Sequence, residues 1–489
     1  MIVSSRHELT VDQAKAVMHT LPSPTPGVDA LHELAAFRSQ LRSCLYRPGD
    51  ALFELADAML CTAGPVQSPV ELSLEPEFLR RHSSVYDALH HGGVSADRLR
   101  QALVQRLSPA RAGEPLMFAI DTTPLARPDA RFADQRTMVM VRTKGPDMFL
   151  PGWDYSILVG IGWGATSWVQ PLEARRVRPT EQAGEVALRQ IRTLLADLQA
   201  TRRWQLGDPP PLILLDAGYR GAELATELDC LPVQLLVRLR GNRRFHFDPP
   251  PRLPGTNGRP QRHGAEFSCA RPDTRPAPDS EVSLDSDRYG KVTIRAWHNL
   301  HQQLTRRSSW WSDWPEDESL PIVRGTVLQV QVERLPHGGG TEKDLWLWHL
   351  GPQPADPVLM WMAYMRRFDQ EHFHRFVKGH LGLGAARLDA AEAVDRWIAL
   401  VLAAYAQLYL ARDLVDDLRR PWQARPPVDA TLSPYRVRLG FRRLRAKLPA
   451  ITRAPKPRPA GPGRPKGSRN RPKLPRPTYR PPTSPHHPE

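Results

Sequence analysis

The sequence contains two short apolar runs that each lead into an aspartate, Leu116-Met-Phe-Ala-Ile-Asp121 and Leu212-Ile-Leu-Leu-Asp216. Each run is preceded by proline and is short, which is typical of a buried central strand. We therefore expect each strand to deliver one carboxylate to its carboxyl end. Two carboxylates at one sheet edge repel unless divalent cations neutralise them. Taken singly, however, each aspartate is also a common turn residue.

A third carboxylate, Glu371, lies in a charged stretch, 364–378, that contains no proline. At about 100° per residue, a single helix there places five side chains within a sector of about 80°. These five residues are Tyr364, Arg367, Glu371, Arg375 and Lys378. Asp369 points away from this face. The pattern predicts one helix that presents a carboxylate flanked by cations, although a solvated face of ion pairs explains the same stripe.

These residues carry a family resemblance. The spacing Tyr364, two residues, Arg367, three, Glu371, six, Lys378 resembles the Tyr-Arg-Glu-Lys signature of bacterial insertion-sequence DDE transposases. Asp216-Ala-Gly-Tyr219 resembles that family's second-Asp motif, and Ile120-Asp121-Thr-Thr123 resembles the first. The resemblance covers about residues 110–420, in which the segment from about 245 to 345 matches only as an insertion.

The resemblance implies a catalytic site in which Asp121, Asp216 and Glu371 hold two Mg²⁺ ions, for which Mn²⁺ can substitute. It implies that Arg367 and Lys378 bind phosphates near the scissile bond. Tyr364 is expected to contact the DNA backbone, and Arg375 is a further expected DNA contact. In related transposases an aromatic of the insertion holds a flipped base, but core packing is the simpler role for each tryptophan there.

The chain divides into five expected segments. Residues 1–108 have helical periodicity, which predicts a helical N-terminal domain. Two roles are compatible with this domain, the binding of DNA ends and simple packing against the rest of the protein. Residues 109–244 follow the order three strands, helix, strand, helix, strand, an α/β order that together with the resemblance implies the first part of a ribonuclease-H-like core. Residues 245–345 indicate a β-rich insertion, and residues 346–450 the end of the core with the Glu371 helix and C-terminal helices.

Residues 451–489 form a basic, proline-rich tail that we expect to be disordered. It holds ten Lys or Arg residues and one acid, so it contributes +9 to the formal net charge of +15. This excess predicts salt-dependent attraction to a polyanion such as DNA. Pro462-Gly-Arg464-Pro-Lys466-Gly467 resembles an AT-hook core, which binds the minor groove of A·T tracts. A nonspecific polybasic tail explains the same residues equally well.

Cysteine spacing and hydropathy indicate the cellular compartment in which the protein is expected. The four cysteines have no Cys-x-x-Cys spacing, which indicates neither a disulfide framework nor a zinc site. The N-terminus lacks an export signal, and the apolar stretch from Trp397 to Ala411 is too short to span a bilayer and predicts a buried core helix. We therefore expect a cytoplasmic protein with no membrane partner, and the resemblance implies that it is bacterial and nucleoid-associated.

The sequence thus predicts a DDE transposase that cleaves DNA at the ends of a mobile element and transfers the strands to target DNA. Paired DNA ends imply a homodimer in the active complex. Two alternatives remain open at this point. One is a nuclease of the same fold without strand transfer, and the other is a non-catalytic DNA-binding regulator derived from a transposase.

Overall fold

The computed structural model describes residues 28–109, 113–130, 133–143, 145–164, 166, 168–252, 254–255, 257–336, 344–352, 354–424 and 430–455. The α-helices in these residues are α1 Val28–Cys44, α2 Gly49–Cys61, α3 Pro69–Leu72, α4 Ser83–His91, α5 Ala96–Val104, α6 Ala183–Ala200, α7 Gly221–Leu228, α8 Pro357–Arg366, α9 Phe368–Gly379, α10 Ala391–Ala411 and α11 Pro434–Arg445. The strands are β1 Leu45–Tyr46, β2 Gly93–Val94, β3 Met117–Ala126, β4 Thr137–Val141, β5 Met148–Ile161, β6 Val169–Val177, β7 Leu212–Leu215, β8 Gln234–Leu239, β9 Arg244–His246, β10 Glu266–Ser268, β11 Ser280–Ser286, β12 Gly290–His301, β13 Arg324–Val332 and β14 Leu345–Leu350. The AT-hook-like residues Arg464 and Lys466 lie outside the described residues.

Strands β3 to β14 form one large mixed sheet. Its order is β10-β9-β12-β13-β14-β8-β7-β3-β5-β4, with β6 paired to β5 and β11 paired to β12. In the part that carries the two aspartates, β3, β5 and β6 pair antiparallel, whereas β3, β7 and β8 pair parallel. Helices α6 and α7 make the crossovers that parallel neighbours require. The α/β character predicted from 109 to 244 is confirmed, but four strands, and not the expected three, precede α6.

The three antiparallel strands of this unit are β3, β5 and β6. The segment around Met138 forms β4, a short strand beside the first residues of β5, so the third strand is β6. Strand β6 runs through Pro171, which pairs with Val159, while Leu158 pairs with Glu173, so that Leu172 is the extra residue of a β-bulge in β6. A bulge tolerates a residue without a backbone N–H, so proline does not end the strand.

The segment 245–345 is β-rich, as predicted, but it does not form a separate sheet. Strand β14 pairs antiparallel with β8, so the inserted strands extend the sheet of the core. Trp297 is buried and stacks on Trp346, with ring centroids 6.1 Å apart. Trp311 is also buried. These two tryptophans therefore serve packing in the free protein.

The N-terminal helices share one hydrophobic interior with the sheet and the C-terminal helices. Helix α10 contacts α1, α2, α11 and β6 at the centre of this interior. Among the described helices it alone is long and apolar enough to cross a membrane, but 72% of its most apolar window is buried inside the protein. The prediction of a buried core helix is confirmed, but the helix begins at Ala391 and not at Trp397, so it is longer than the stretch that was judged too short to span a bilayer.

A buried polar network joins four helices, α1, α2, α10 and α11. Asp57 on α2 accepts hydrogen bonds from Arg38 on α1, at 2.6 and 2.8 Å, and from Arg445 on α11, at 2.6 Å. Arg38 also donates to Gln407 on α10. Because a charge at this depth is costly without partners, the network specifies how the helices fit together.

Candidate active site

The two aspartates lie side by side on neighbouring parallel strands. The last paired residues of β3 and β7 are Ile120 and Leu215, and Asp121 and Asp216 follow directly. Their backbones are therefore about 5 Å apart, the usual spacing of adjacent strands. Strand β3 continues to Ala126 because antiparallel β5 goes on pairing with it. The expectation that the Asp121 strand ends at the aspartate is therefore wrong, since only its parallel partner ends there.

The electrostatics of Asp121 reflect its partial burial and the nearby charge of Asp216. Burial, reinforced by the negative charge of Asp216, raises the pKa of Asp121 to about 6. The positive charge of Arg367 opposes this shift, and Glu371 adds to it. Burial and the charges of Asp121 and Asp216 also raise the pKa of Tyr219 well above its ordinary value. The site therefore favours positive charge.

Both aspartates also make the local hydrogen bonds of turn residues. Asp216 Oδ1 accepts a bond of 2.8 Å from the N–H of Gly218, and Asp121 Oδ1 accepts one of 2.8 Å from Thr122. A Cβ at position 218 would lie 3.0 Å from Asp216 Oδ1, so a glycine there leaves room for the carboxylate. The turn role and a role in a site are thus compatible, because each local bond engages a single carboxylate oxygen.

The stretch from Tyr364 to Lys378 is not one helix, as the sequence had predicted, but two. Helix α8 ends at Arg366 and α9 begins at Phe368. At the junction the N–H of Arg367 bonds to Tyr364 O and the N–H of Gln370 bonds to Arg367 O, each at 3.0 Å. These bonds span three residues instead of four, which tightens the turn and breaks the 100° phasing.

This break changes the position of Tyr364. Its side chain is buried, with the guanidinium of Arg367 5.7 Å from its ring centroid. Tyr364 therefore does not share the exposed face of α9 on which Glu371 and Arg375 lie. In the free protein it supports Arg367.

Arg367 connects the third carboxylate to the aspartate pair. Its Nη2 donates to Glu371 Oε1 at 2.9 Å, and its Nη1 lies 3.8 Å from Asp121 Oδ2. Burial opposes the charge of Arg367, but Tyr364, Asp121 and Glu371 outweigh this effect and raise its pKa. Asp369, by contrast, is buried and pairs with Arg366. The structure thus brings Glu371, and not Asp369, toward Asp121.

Lys378 lies on the same helix, two turns after Glu371. Partial burial lowers its pKa, while the nearby charges of Asp121 and Asp154 oppose that change. Asp154, on β5, is a carboxylate that the sequence analysis did not single out, and burial raises its pKa to about 6. A charged residue inside the otherwise apolar run of β5 is the signal that could have identified it.

The donor set of the site fits a hard divalent cation. Asp121, Asp216 and Glu371 offer only carboxylate oxygens, which suit Mg²⁺ or Mn²⁺. The raised pKa of Asp121 is the cost of placing carboxylates together, and a cation would relieve it. Among the described residues, no three His, Cys, Asp or Glu side chains are grouped as ready-made ligands. The cation that lies between Asp121 and Glu371 in this structure is the guanidinium of Arg367.

Comparison with known proteins gives one family. The model of the DDE superfamily endonuclease family matches residues 40–304, and no curated protein matches the sequence. The matched residues include Asp121 and Asp216 and end before Glu371. They make up more than half of the 489-residue chain. With a matched segment of this extent that contains both neighbouring aspartates, the protein belongs to the DDE superfamily endonuclease family.

Proposed function

We propose that this endonuclease-family protein is a transposase that cleaves DNA at the ends of a mobile element and joins those ends to target DNA. The observation that carries the proposal is that Asp121 and Asp216 directly follow the last paired residues of parallel β3 and β7, with Glu371 linked to Asp121 through Arg367. The Tyr-Arg-Glu-Lys spacing from Tyr364 to Lys378 supports the finer assignment.

A ribonuclease-H-like catalytic core is part of the proposal. Its support is the strand order β6-β5-β3-β7-β8, with the first three strands antiparallel and the last two parallel to β3. In this arrangement Asp121 lies on the central strand, Asp216 follows the neighbouring parallel strand, and Glu371 comes from a later helix that packs near them.

Asp121, Asp216 and Glu371 are the residues that would hold two Mg²⁺ ions, or Mn²⁺ in their place. When bound, such ions supply activation of the attacking oxygen and neutralisation of the phosphate charge that develops during in-line displacement. For Glu371 to serve as a ligand through Oε1, Arg367 must release that oxygen. DNA phosphate offers Arg367 an alternative partner, because guanidinium and phosphate form charge-assisted hydrogen bonds. Substrate binding and release of Glu371 would then be coupled.

The remaining contacts to DNA come from α9 and the tail. Lys378 lies near Asp121, where it can bind a phosphate next to the scissile bond, and exposed Arg375 extends the basic surface. The tail residues Arg464 and Lys466 add affinity by counterion release or by minor-groove contact. We also propose a cytoplasmic, nucleoid-associated protein that acts as a homodimer on paired ends.

An endonuclease without strand transfer is the second candidate, because the matched family is defined as an endonuclease family. An excision assay separates the two. A plasmid carries a marker between the DNA segments that flank this gene, and the protein is supplied from a second plasmid in wild-type and Glu371→Gln forms. Transposition predicts the marker at new sites only with the wild type. Cleaved plasmid with no marker at new sites would favour the nuclease, and no cleavage at all would contradict both.

A further inference from the structure

The first turn of α9, which carries Glu371, is held to the sheet by one buried side chain. Gln370 is fully buried, and its Nε2 donates a hydrogen bond of 3.1 Å to the backbone carbonyl of Ile157 on β5. Gln370 precedes Glu371 directly. This side-chain hydrogen bond therefore fixes the backbone next to the third carboxylate.

The acceptor of this bond, Ile157, has a significant position in the pairing of β5 with β3. In the antiparallel pair of β3 and β5, Ile157 lies directly opposite Asp121. The hydrogen bond from Gln370 thus ends on the residue that faces the first aspartate across the sheet. It links the backbone beside Glu371 to the backbone beside Asp121 through two residues.

Other contacts hold different parts of α9. Phe373 and Phe376 pack against Tyr405 of α10, with ring centroids 4.7 and 5.8 Å apart. These contacts secure the helix two and five residues beyond Glu371. The preceding junction is tied to the β5–β6 hairpin by Arg366, which bonds to the carbonyl of Thr166. At the level of Glu371, Arg367 bonds to the carboxylate, and Gln370 ties the adjoining backbone to β5.

We propose that Gln370 is a positioning residue that sets the distance between Glu371 and the aspartate pair. The inference rests on the proposed function, because the distance matters only if the three carboxylates share metal ions. An amide suits this position, since it donates to a buried carbonyl without adding a charge beside the carboxylates. Some residues orient metal ligands without binding the metal themselves. Their removal typically lowers metal affinity or activity by about 10- to 100-fold.

The test measures Mn²⁺ binding directly, from the spectroscopic signal of free Mn²⁺, and DNA nicking as a function of Mn²⁺ concentration. Gln370→Met keeps the side-chain length and removes the donor, and Gln370→Asn keeps the amide but is too short to reach Ile157. Both variants should bind Mn²⁺ about tenfold more weakly than the wild type. Both should need correspondingly more Mn²⁺ for half-maximal nicking, with unchanged DNA affinity in EDTA.

Phe376→Leu is the matched control, because it loosens α9 away from Glu371 and should leave Mn²⁺ affinity unchanged. Wild-type Mn²⁺ affinity in either folded Gln370 variant would overturn the positioning role while the proposed function stands. An equal loss of affinity in Phe376→Leu would also overturn it, because general loosening of α9 would then explain the effect. A wild-type protein that neither binds Mn²⁺ nor nicks DNA would overturn the proposed function and this inference together.

Discussion

Replacing Asp121 with Asn should stabilise the metal-free protein at neutral pH. A substitution in a buried site usually destabilises, so this expectation is specific to the electrostatics of the aspartate pair. The Asp121 carboxylate is largely removed from solvent and lies beside Asp216, and these two causes raise its pKa from 3.8 to about 6. Asparagine has nearly the same shape and carries no charge, so it removes the cause of the shift.

The sign and the size of the expected gain in unfolding free energy follow from the linkage between proton binding and folding. Asp121 binds its proton more tightly in the folded protein than in the unfolded chain. The resulting stabilisation is complete below about pH 4 and is lost as the pH rises through about 6. At about 1.36 kcal/mol per pKa unit, the difference amounts to about 3 kcal/mol. Relative to the wild type, Asp121→Asn should therefore gain up to about 3 kcal/mol in unfolding free energy between pH 4 and pH 7.5.

Urea unfolding in EDTA at a series of pH values measures this difference. Asp129→Asn is the matched control, because Asp129 is exposed and its pKa is lowered by Arg127 despite slight burial. That control should show no gain at neutral pH. Free-energy curves for Asp121→Asn and the wild type that run parallel from pH 4 to 7.5 would refute the reasoning.

Three further predictions concern residues outside the carboxylate pair. Asp369→Asn should retain DNA cleavage per folded molecule, because its carboxylate is buried against Arg366; an inactive folded variant would contradict this. Asp57→Ala should lower the unfolding free energy in urea by about 3–5 kcal/mol, since it leaves Arg38 buried without its partner; a change below about 1 kcal/mol would show that the pair is dispensable. Deleting residues 456–489 removes nine Lys or Arg residues and should weaken DNA binding and flatten its dependence on salt, as measured by anisotropy titrations at several salt concentrations. An unchanged slope would exclude the tail from DNA binding.

Local sequence patterns were sufficient to predict the aspartate pair. Each apolar run before Asp121 and Asp216 forms a buried strand, and the parallel register sets the two residues side by side. The pattern did not reveal that β3 continues past Asp121, because the residues that extend it pair with β5, which follows later in the chain. Where a strand ends depends on the strands that pair with it. The local alternation of apolar and polar residues does not identify those strands.

The Glu371 region shows the same limit for helices. Helical periodicity places Glu371, Arg375 and Lys378 on α9, but it assumed an unbroken helix from Tyr364. The tight turn at Arg367 coincides with tertiary contacts: Arg366 bonds to the β5–β6 hairpin, and Arg367 lies 3.8 Å from Asp121 on β3. Such long-range contacts override a local pattern. They also explain why Gln370 could not be selected from its sequence position alone.

The measurement that tests the central claim most directly is Mg²⁺-dependent cleavage of supercoiled plasmid DNA by four purified proteins. These are the wild type, Asp121→Asn, Asp216→Asn and Glu371→Gln, each first shown to be folded and to bind DNA in EDTA. We predict cleavage by the wild type with Mg²⁺ or Mn²⁺ and none by the three variants, which keep their DNA affinity because the phosphate-binding cations remain. Mg²⁺-dependent cleavage at the wild-type rate in any of the three variants would contradict the assignment of that carboxylate, and in all three it would contradict the site.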